Sequence, residues 1–545
     1  AEAAARVDPP QVDPRPRSDW RLLGTALPRP DIPAKSTGTA NYGIDTRLQG
    51  MKFATIRMSP RLGGAMLRFD PAPALAIEGV ERVIDLGTGI AVIARNTWLA
   101  FQGAQAAQID WGPAPYPATS AEIDTALVAG FDTDPDITGR DDGDADGPHS
   151  GTVIEAEYRL PFLAHATMEP MNATALFTGD ALDLWSPSQA PIGQRDAVAA
   201  AVGLPSAAVT VHTTMMGGGF GRRIEYDYSV LAARVAQAMP GTPVQVTWSR
   251  EEDMTHDFYR PAAIARLRGV VNDGQAVVMD ARLSTPGLLD PLLRRWVGVS
   301  PPVGDSTIIE GLADQPYAIP NYRMRGHAVD LGVPVGFWRS VGSSYNGFVH
   351  ESFIDELAHA AGRDPIAFRL DLARPKSAAA AGVLDAGREM SGWDGDNPAG
   401  TGRGVAMTWS FGTPVAQVVE VRDEGGAIRI ARAWVACDTG VVLDPGILSA
   451  QMAGGLIFGL SAAVHGQITF GDGMVEQLNF PDTDVLRMSG APQIETRLLE
   501  ANPHLGGGGE PGTPPAAAAL ANALFDLTGI RARSLPLDRQ FSFVL

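Results

Sequence analysis

Residues 506–525 read GGGGEPGTPPAAAALANALF: four glycines, one carboxylate (Glu510), a Pro/Gly turn, then an alanine-rich run with helical character. The stretch therefore passes from bare backbone to a small-residue helix that can pack closely on whatever lies beneath it. Its glycines carry no Cβ, so the chain can lie directly against a ligand with its N–H groups turned toward it. Glu510 has only glycine and proline as near neighbours, so no local Lys or Arg can pair with it. Such a carboxylate in a dry pocket could act as a general base. The plainer alternative is an exposed loop glutamate capping the helix that follows.

A second glycine run, MMGGGFGRR at residues 215–223, has the same character. Neither segment fits a phosphate-cradling GxxxxGK[ST] loop or a GxGxxG dinucleotide fingerprint. A tight turn or sheet bulge is the alternative for each. The segments around them alternate in type. Strand patterns (MKFATIRMS, ERVIDLGTGIAVIA, GTVIEAEYRL, PVQVTWS, AQVVEVRD, AIRIARAWVACDTG) mix with helical ones (YDYSVLAARVAQAM, FVHESFIDELAHAAG). In the second helix Phe348, Phe353, Ile354 and Leu357 recur at helical spacing, and Asp364-Pro365 reads as an Ncap followed by an N1 proline. Without a steady βαβ alternation the expected class is α+β, not a doubly wound sheet.

The expected organisation is an N-terminal linker (1–19), a first α+β domain (20–129), an acidic linker (130–150), and two further α+β domains (151–380 and 381–545). The acidic linker is GFDTDPDITGRDDGDADGPHS, almost without apolar residues. At 545 residues, 45% hydrophobic and 19% charged, the chain has an ordinary globular composition. Its 43 basic and 62 acidic residues give a formal charge of -19, which argues against a nucleic-acid or anionic-membrane surface, since both need a basic face. No uninterrupted run reaches a membrane span; the nearest, Ala450 to Val464, is rich in Gly, Ala and Ser and reads as a closely packed core helix. The single cysteine, Cys437, cannot supply an iron–sulfur cluster, and the nine scattered histidines form no metal-ligand spacing.

Taken in order, WRLLGTALPRPDIPAKSTGTANYGIDTRLQGM, LPFLAHATMEPMNATALF, WSPSQAP, MMGGGFGRRIEYDYSVLAARVAQ, VQVTWSREEDMTHDFYRPAA, PVGFWRSVGSSYNGFVHESFIDELAHAAGRDPIAFRL, ACDTGVVLDPGILSAQMAGGLIFGLSAAVHG and GGGGEPGTPPAAAALANALF resemble the large molybdopterin-binding subunits of the xanthine oxidase family. The similarity is to the branch of isoquinoline 1-oxidoreductase beta subunits and bacterial aldehyde dehydrogenases. The resemblance implies that residues 20–129 are a hammerhead α+β domain followed by two cofactor-binding domains. It implies molybdenum held by a pterin, in bacteria the molybdopterin cytosine dinucleotide. A glutamate deprotonates the metal-bound hydroxyl, whose oxygen attacks an aldehyde carbon or the carbon beside a ring nitrogen. Electrons then pass to iron–sulfur clusters, here necessarily in a small partner subunit, with a cytochrome c as a conceivable final acceptor.

By that resemblance the base is Glu510. Gln189 is the glutamine beside the oxo ligand, where its amide would stabilise developing charge, and Arg339 is an arginine near the substrate. Cofactor contacts fall on Gly218, Gly219, Phe220, Gly221, Arg222, Gln451, Gly508 and Gly509; a structural ion pair for Arg339 and a helix-surface amide for Gln451 are the alternatives. No residue of the chain is expected to ligate the metal directly. Two departures bear on the reading. Arg222-Arg223 stand where xanthine dehydrogenases have a small residue and Lys, and Ile224 stands where they have a substrate-binding glutamate, with Glu225 one residue off. A purine substrate is therefore not expected. The family's MGQG pterin segment is absent, and the expectation is that a second polypeptide carries it. Large subunits of this branch bear twin-arginine export signals, so a periplasmic rather than cytoplasmic location is expected. A scaffold that kept the fold and lost the chemistry, or a hydrolase using the glycine loops as an oxyanion hole, are the competing readings. Intact Glu510 and GGGFG oppose the first, and the lack of a GxSxG elbow opposes the second.

Overall fold

A computed structural model describes residue 13 and residues 15–300, 304–395 and 397–544. The expected N-terminal linker lies mostly outside the described residues, at 1–12 and 14. Three large sheets carry the architecture. The first has seven strands in the order Val209–Thr213, Leu182–Ser186, Asn172–Phe177, Val244–Thr247, Lys52–Met58, Gly89–Ala94, Val80–Asp85. The second has five, in the order Ile137–Asp142, Asn321–Ala328, Gln275–Thr285, Ala263–Asn272, Thr152–Leu160. The third has four, Thr401–Ser410, Thr413–Asp423, Ile428–Asp438 and Gln493–Leu499. Antiparallel pairs dominate and parallel ones interrupt them, so the class is α+β as the uneven alternation of segments indicates.

Two of the expected boundaries differ from the fold. The first sheet is continuous across them: Lys52–Met58 pairs in parallel with Val244–Thr247, so strands from 20–129 and from 172–247 share one hydrogen-bonded layer. The segment expected as an acidic linker supplies an edge strand, Ile137–Asp142, antiparallel to Asn321–Ala328. Its charge is absorbed by partners: Arg323 spans Asp146 at 2.6 Å and Asp280 at 3.0 Å, and Arg140 donates to the carbonyls of Gln315 and Tyr317. Sequence composition marks such a stretch as solvated because it does not show the cations that face it.

The helix Ser343–Ala360 runs through the middle of the molecule, and nearly every residue from Ser343 to Ala358 is buried. The apolar spacing of Phe348, Phe353, Ile354 and Leu357 suggests one buried face, but the polar face is enclosed as well. Glu351 accepts from Arg369 at 2.7 Å, and Tyr158 donates to Glu356 at 2.6 Å. Buried carboxylates persist only with such partners. Arg369 comes from the helix Pro365–Ala373, whose Ncap Asp364 accepts from the Ala367 amide at 2.8 Å, the cap its Asp-Pro sequence signals.

The helix Pro445–His465 corrects one expectation. It has 21 residues and a mean hydropathy of 1.7 in its most apolar window, so by length and composition it could cross a membrane. One of its faces instead packs on the loop and helix that follow Glu510, where Gly455 and Gly459 let the backbones meet. Its other face lines a cavity.

Candidate active site

Three segments meet at one cavity of about 490 Å³: the loop after Val209–Thr213, the turn before Ser343–Ala360, and the Glu510 loop. Gln189, Gly219, Phe220, Gly221, Arg339, Gln451, Gly509 and Glu510 all contribute to its wall. They come from five separate parts of the sequence, so only folding unites them.

The glycine loop is held from behind. A Cβ on Gly221 would overlap the Phe337 carbonyl, and its φ of 111° is one that L side chains avoid, so glycine is required there. The Gly221 amide donates to Gln189 Oε1 at 3.2 Å, which leaves the Gln189 NH2 for the cavity. Arg223, fully buried, donates to the Gly218 carbonyl at 2.8 Å and to the Glu169 carbonyl at 2.7 Å. Glu169 in turn accepts from the Gly217 amide at 2.7 Å and the Ile44 amide at 3.0 Å.

The acid is placed by the turn at 339–341. Ser340 N–H donates to Glu510 Oε1 at 3.0 Å, and Ser340 Oγ–H donates to the Glu510 carbonyl at 2.8 Å. Arg339 clamps the preceding residue, donating to the Gly509 carbonyl at 2.5 Å and to Gln451 Oε1 at 3.0 Å. Burial pushes the Arg339 guanidinium below its ordinary pKa, and the Glu510 carboxylate partly offsets this. Ser340, Val341 and Phe220 have φ of 75°, 48° and 54°, a left-handed region that is costly for residues with side chains. Phe220 and Val341 line the cavity and Ser340 stands behind it, so the fold tolerates strain here to fix geometry. Behind the turn sits Glu310. Burial, then Asp314, Asp305 and Glu510, push its pKa up to about 7.

Not every expected contact faces the cavity. Gly218 and Gly508 are not among the residues that line it. Arg222 is directed away: it is buried, forks onto both Asp227 oxygens at 2.8 Å, and reaches Asp257 at 3.1 Å. Burial opposes its charge, but Asp227 and Asp257 outweigh it and hold the guanidinium protonated. It is a structural anchor because two carboxylates claim it, which no local spacing revealed.

Models described as molybdopterin cofactor-binding domains match residues 134–371 and 353–492. The chain is 30% identical over 544 residues to isoquinoline 1-oxidoreductase subunit beta of Brevundimonas diminuta, covering 96% of this chain and 69% of that one. The chain belongs to the xanthine oxidase family of molybdopterin-binding subunits. Another relative, a membrane-bound aldehyde dehydrogenase of Gluconacetobacter polyoxogenes, is 28% identical across 96% of this chain and 73% of its own. Quinoline 2-oxidoreductase from Pseudomonas putida 86 shares the fold at a TM-score of 0.78 and 15% identity, over 96% of this chain and 98% of that one. Aldehyde oxidoreductase from Desulfovibrio gigas does so at 0.78 and 16%, over 96% and 80%.

For a member of the xanthine oxidase family the wall has suitable chemistry. Among the described residues no group of three His, Cys, Asp or Glu could hold a metal ion. The wall offers what an organic carrier of a metal needs: glycine backbone, two glutamine amides, and open space beside Gly509, where an added Cβ would meet nothing within 4 Å. Sequence reading missed Glu169, Arg223, Ser340 and the aromatic residues Trp338 and Phe458. Glu169 and Trp338 stood inside the matched segments, but their value lies in what they contact.

Proposed function

We propose that this chain is the catalytic, cofactor-binding subunit of a molybdenum hydroxylase acting on an aldehyde or N-heterocycle carbon with oxygen derived from water. The observation that carries the reading is the convergence of Glu510, Gln189, the Gly219–Gly221 backbone and Gln451 on one cavity, with the acid held from behind by Ser340. Molybdenum on a molybdopterin, in the cytosine dinucleotide form, would supply the activated oxygen and take up the electron pair. Gly219, Phe220, Gly221, Gln451 and Gly509 would hold it, since their backbone or amide groups border the space.

Glu510 accepts the proton. Ser340 N–H occupies Oε1, so the hydrogen bond orients the carboxylate and leaves Oε2 for the transfer. Gln189 presents an amide N–H to charge growing on oxygen, with its own Oε1 fixed by Gly221. Arg339 keeps Gly509 and Gln451 in register through its clamp, so the base and the cofactor contact move together. Iron–sulfur clusters of a small partner subunit would receive the electrons. Cys437 is fully buried, and burial followed by Asp438 pushes its thiol up to about 12.

Metal content and one variant test the reading. Elemental analysis of the native complex is expected to find molybdenum near one per chain. Glu510→Gln is expected to retain it and lose turnover by ~10²–10⁴. Unchanged turnover in that variant, or no molybdenum in a matured preparation, would overturn the assignment, the latter in favour of a scaffold.

A further inference from the structure

His165 is a buried histidine close to the glycine loop, and the reaction as described gives it no part. Its main chain is placed by Leu163, which exchanges two hydrogen bonds with Arg260 and so brings residues 163–165 beside 257–260. Both ring nitrogens meet oxygen. Nδ1 lies 2.8 and 3.0 Å from the two Asp257 carboxylate oxygens, and Nε2 lies 2.8 Å from the Phe337 carbonyl oxygen. A neutral imidazole has one N–H and one lone pair. Whichever nitrogen carried the hydrogen, the other would press its lone pair on an oxygen at 2.8 Å. Only an imidazolium, with a donor on each side, satisfies both contacts.

Asp257 has no room for the second proton. It already accepts from the His165 amide at 2.5 Å and the Phe258 amide at 2.8 Å, and Arg222 Nε lies 3.1 Å away. Burial alone would raise its pKa; His165 and then Arg222 outweigh burial and hold the carboxyl below its usual range. A buried cation persists only beside such a counter-charge.

What the ring holds lies against the Glu510 cavity. The Phe337 carbonyl packs on Gly221, where a Cβ would stand 1.6 Å from this oxygen and 3.3 Å from His165 Nε2. Gly221 N–H fixes Gln189 Oε1, and Arg339, two residues beyond Phe337, clamps Gly509 and Gln451. Ala166, the residue after His165, has φ of 46°, the same costly region as Phe220.

We propose that His165 is a positioning residue for the reaction: an imidazolium, anchored on Asp257, that pins the Phe337 carbonyl against Gly221 and thereby aligns the Gln189 amide with Glu510. The proposal rests on the function assigned above and adds to it a charged support for the glycine loop.

The test uses the purified holoenzyme with its partner subunit and a dye acceptor. The substrate is whichever of propanal, benzaldehyde and quinoline is turned over fastest. Two variants separate the ring's contacts, because a glutamine amide nitrogen stands where Nε2 stood and an asparagine one where Nδ1 stood. His165→Asn keeps a donor to Asp257 and loses the one to Phe337; its kcat is expected to fall ~10²-fold with molybdenum content intact and KM changed ~2-fold at most. His165→Gln keeps the donor to Phe337 and is expected to stay within ~10-fold of wild type. Nitrogen NMR of ring-labelled histidine in the same complex gives a reading independent of turnover. The signals that vanish in His165→Gln belong to His165, and both are expected in the protonated range at neutral pH. One of them in the unprotonated range would overturn the proposal alone. So would equal losses of kcat in the two variants, or a kcat in His165→Asn within ~2-fold of wild type. If His165→Asn does not assemble, the nitrogen signals and the turnover of His165→Gln still decide. A molybdenum-loaded complex inert toward every substrate would overturn the proposed function instead, and the nitrogen signals would still decide the charge on His165.

Discussion

A single arginine shows how much of the site is made by residues that never face it. Arg223 joins the Gly218 carbonyl to Glu169, and Glu169 gathers the amides of Gly217 and Ile44 and the Asn172 side chain. Both members of the pair are buried. Removing the cation leaves a carboxylate enclosed without its counter-charge, a loss of about 3–5 kcal/mol in comparable buried pairs. Arg223→Met is therefore expected to cost that order of stability in urea unfolding. Glu169→Gln leaves Arg223 without its counter-charge and turns an amide NH2 toward backbone donors, so it should cost the same order, about 3–5 kcal/mol. Equal and small effects would show that the glycine loop holds its form without them. The neighbouring Arg222 was expected at the cofactor and is an anchor between Asp227 and Asp257. Two adjacent arginines thus serve the loop's rear and the protein interior, a division the dipeptide alone does not announce.

At the scale of elements, the Glu510 loop is held between two helices that small residues allow to approach. The helix Pro445–His465 touches it through Gly455 and Gly459; a Cβ at Gly459 would stand 2.7 Å from both Ala516 Cβ and the Thr513 carbonyl. Gly454, one position before Gly455, has nothing within 4 Å of its added Cβ. The two glycines should therefore respond with opposite sign. Gly459→Leu is expected to destabilise by about 1–3 kcal/mol through overpacking. Gly454→Ala is expected to raise stability by about 0.5–1 kcal/mol, because a helical glycine is replaced in open space. Thermal melting of the two variants checks the contrast; a loss in both would mean that the helix, not the contact with Ala516, sets the limit.

Across the whole molecule, acidic groups outnumber basic ones, 62 to 43, and the interior manages several of them individually. Glu310 is the case with a consequence for pH. Burial first, and Asp314, Asp305 and Glu510 after it, raise its pKa from an ordinary 4.5 to about 7. The native state therefore keeps this proton between about 4.5 and 7 while the unfolded chain has lost it, so stability from this group falls as pH rises through that window. Glu310→Gln should stabilise the protein by about 1–3 kcal/mol at pH 8 and by nothing at pH 4. Melting temperatures across that range test it, and a gain independent of pH would refute the cause. The glycine runs, the lone Glu510, the α+β class and the order of the family segments were all legible in the chain, because each depends on local chemistry: a missing Cβ, a helical or alternating spacing, an Asp-Pro cap. Eight of the expected site residues line one cavity; the glycines and Glu510 stood out by their own chemistry, and Gln189, Arg339 and Gln451 came from the family resemblance. What depends on distant partners was not legible. The acidic stretch pairs as an edge strand with a remote strand whose Arg323 meets Asp146, Arg222 was claimed by carboxylates on other segments, and Phe458 meets Trp338 and Phe220 only when three remote segments close on one wall. Local propensity is written residue by residue, but charge pairing and ring stacking are properties of neighbours that only the folded chain brings together.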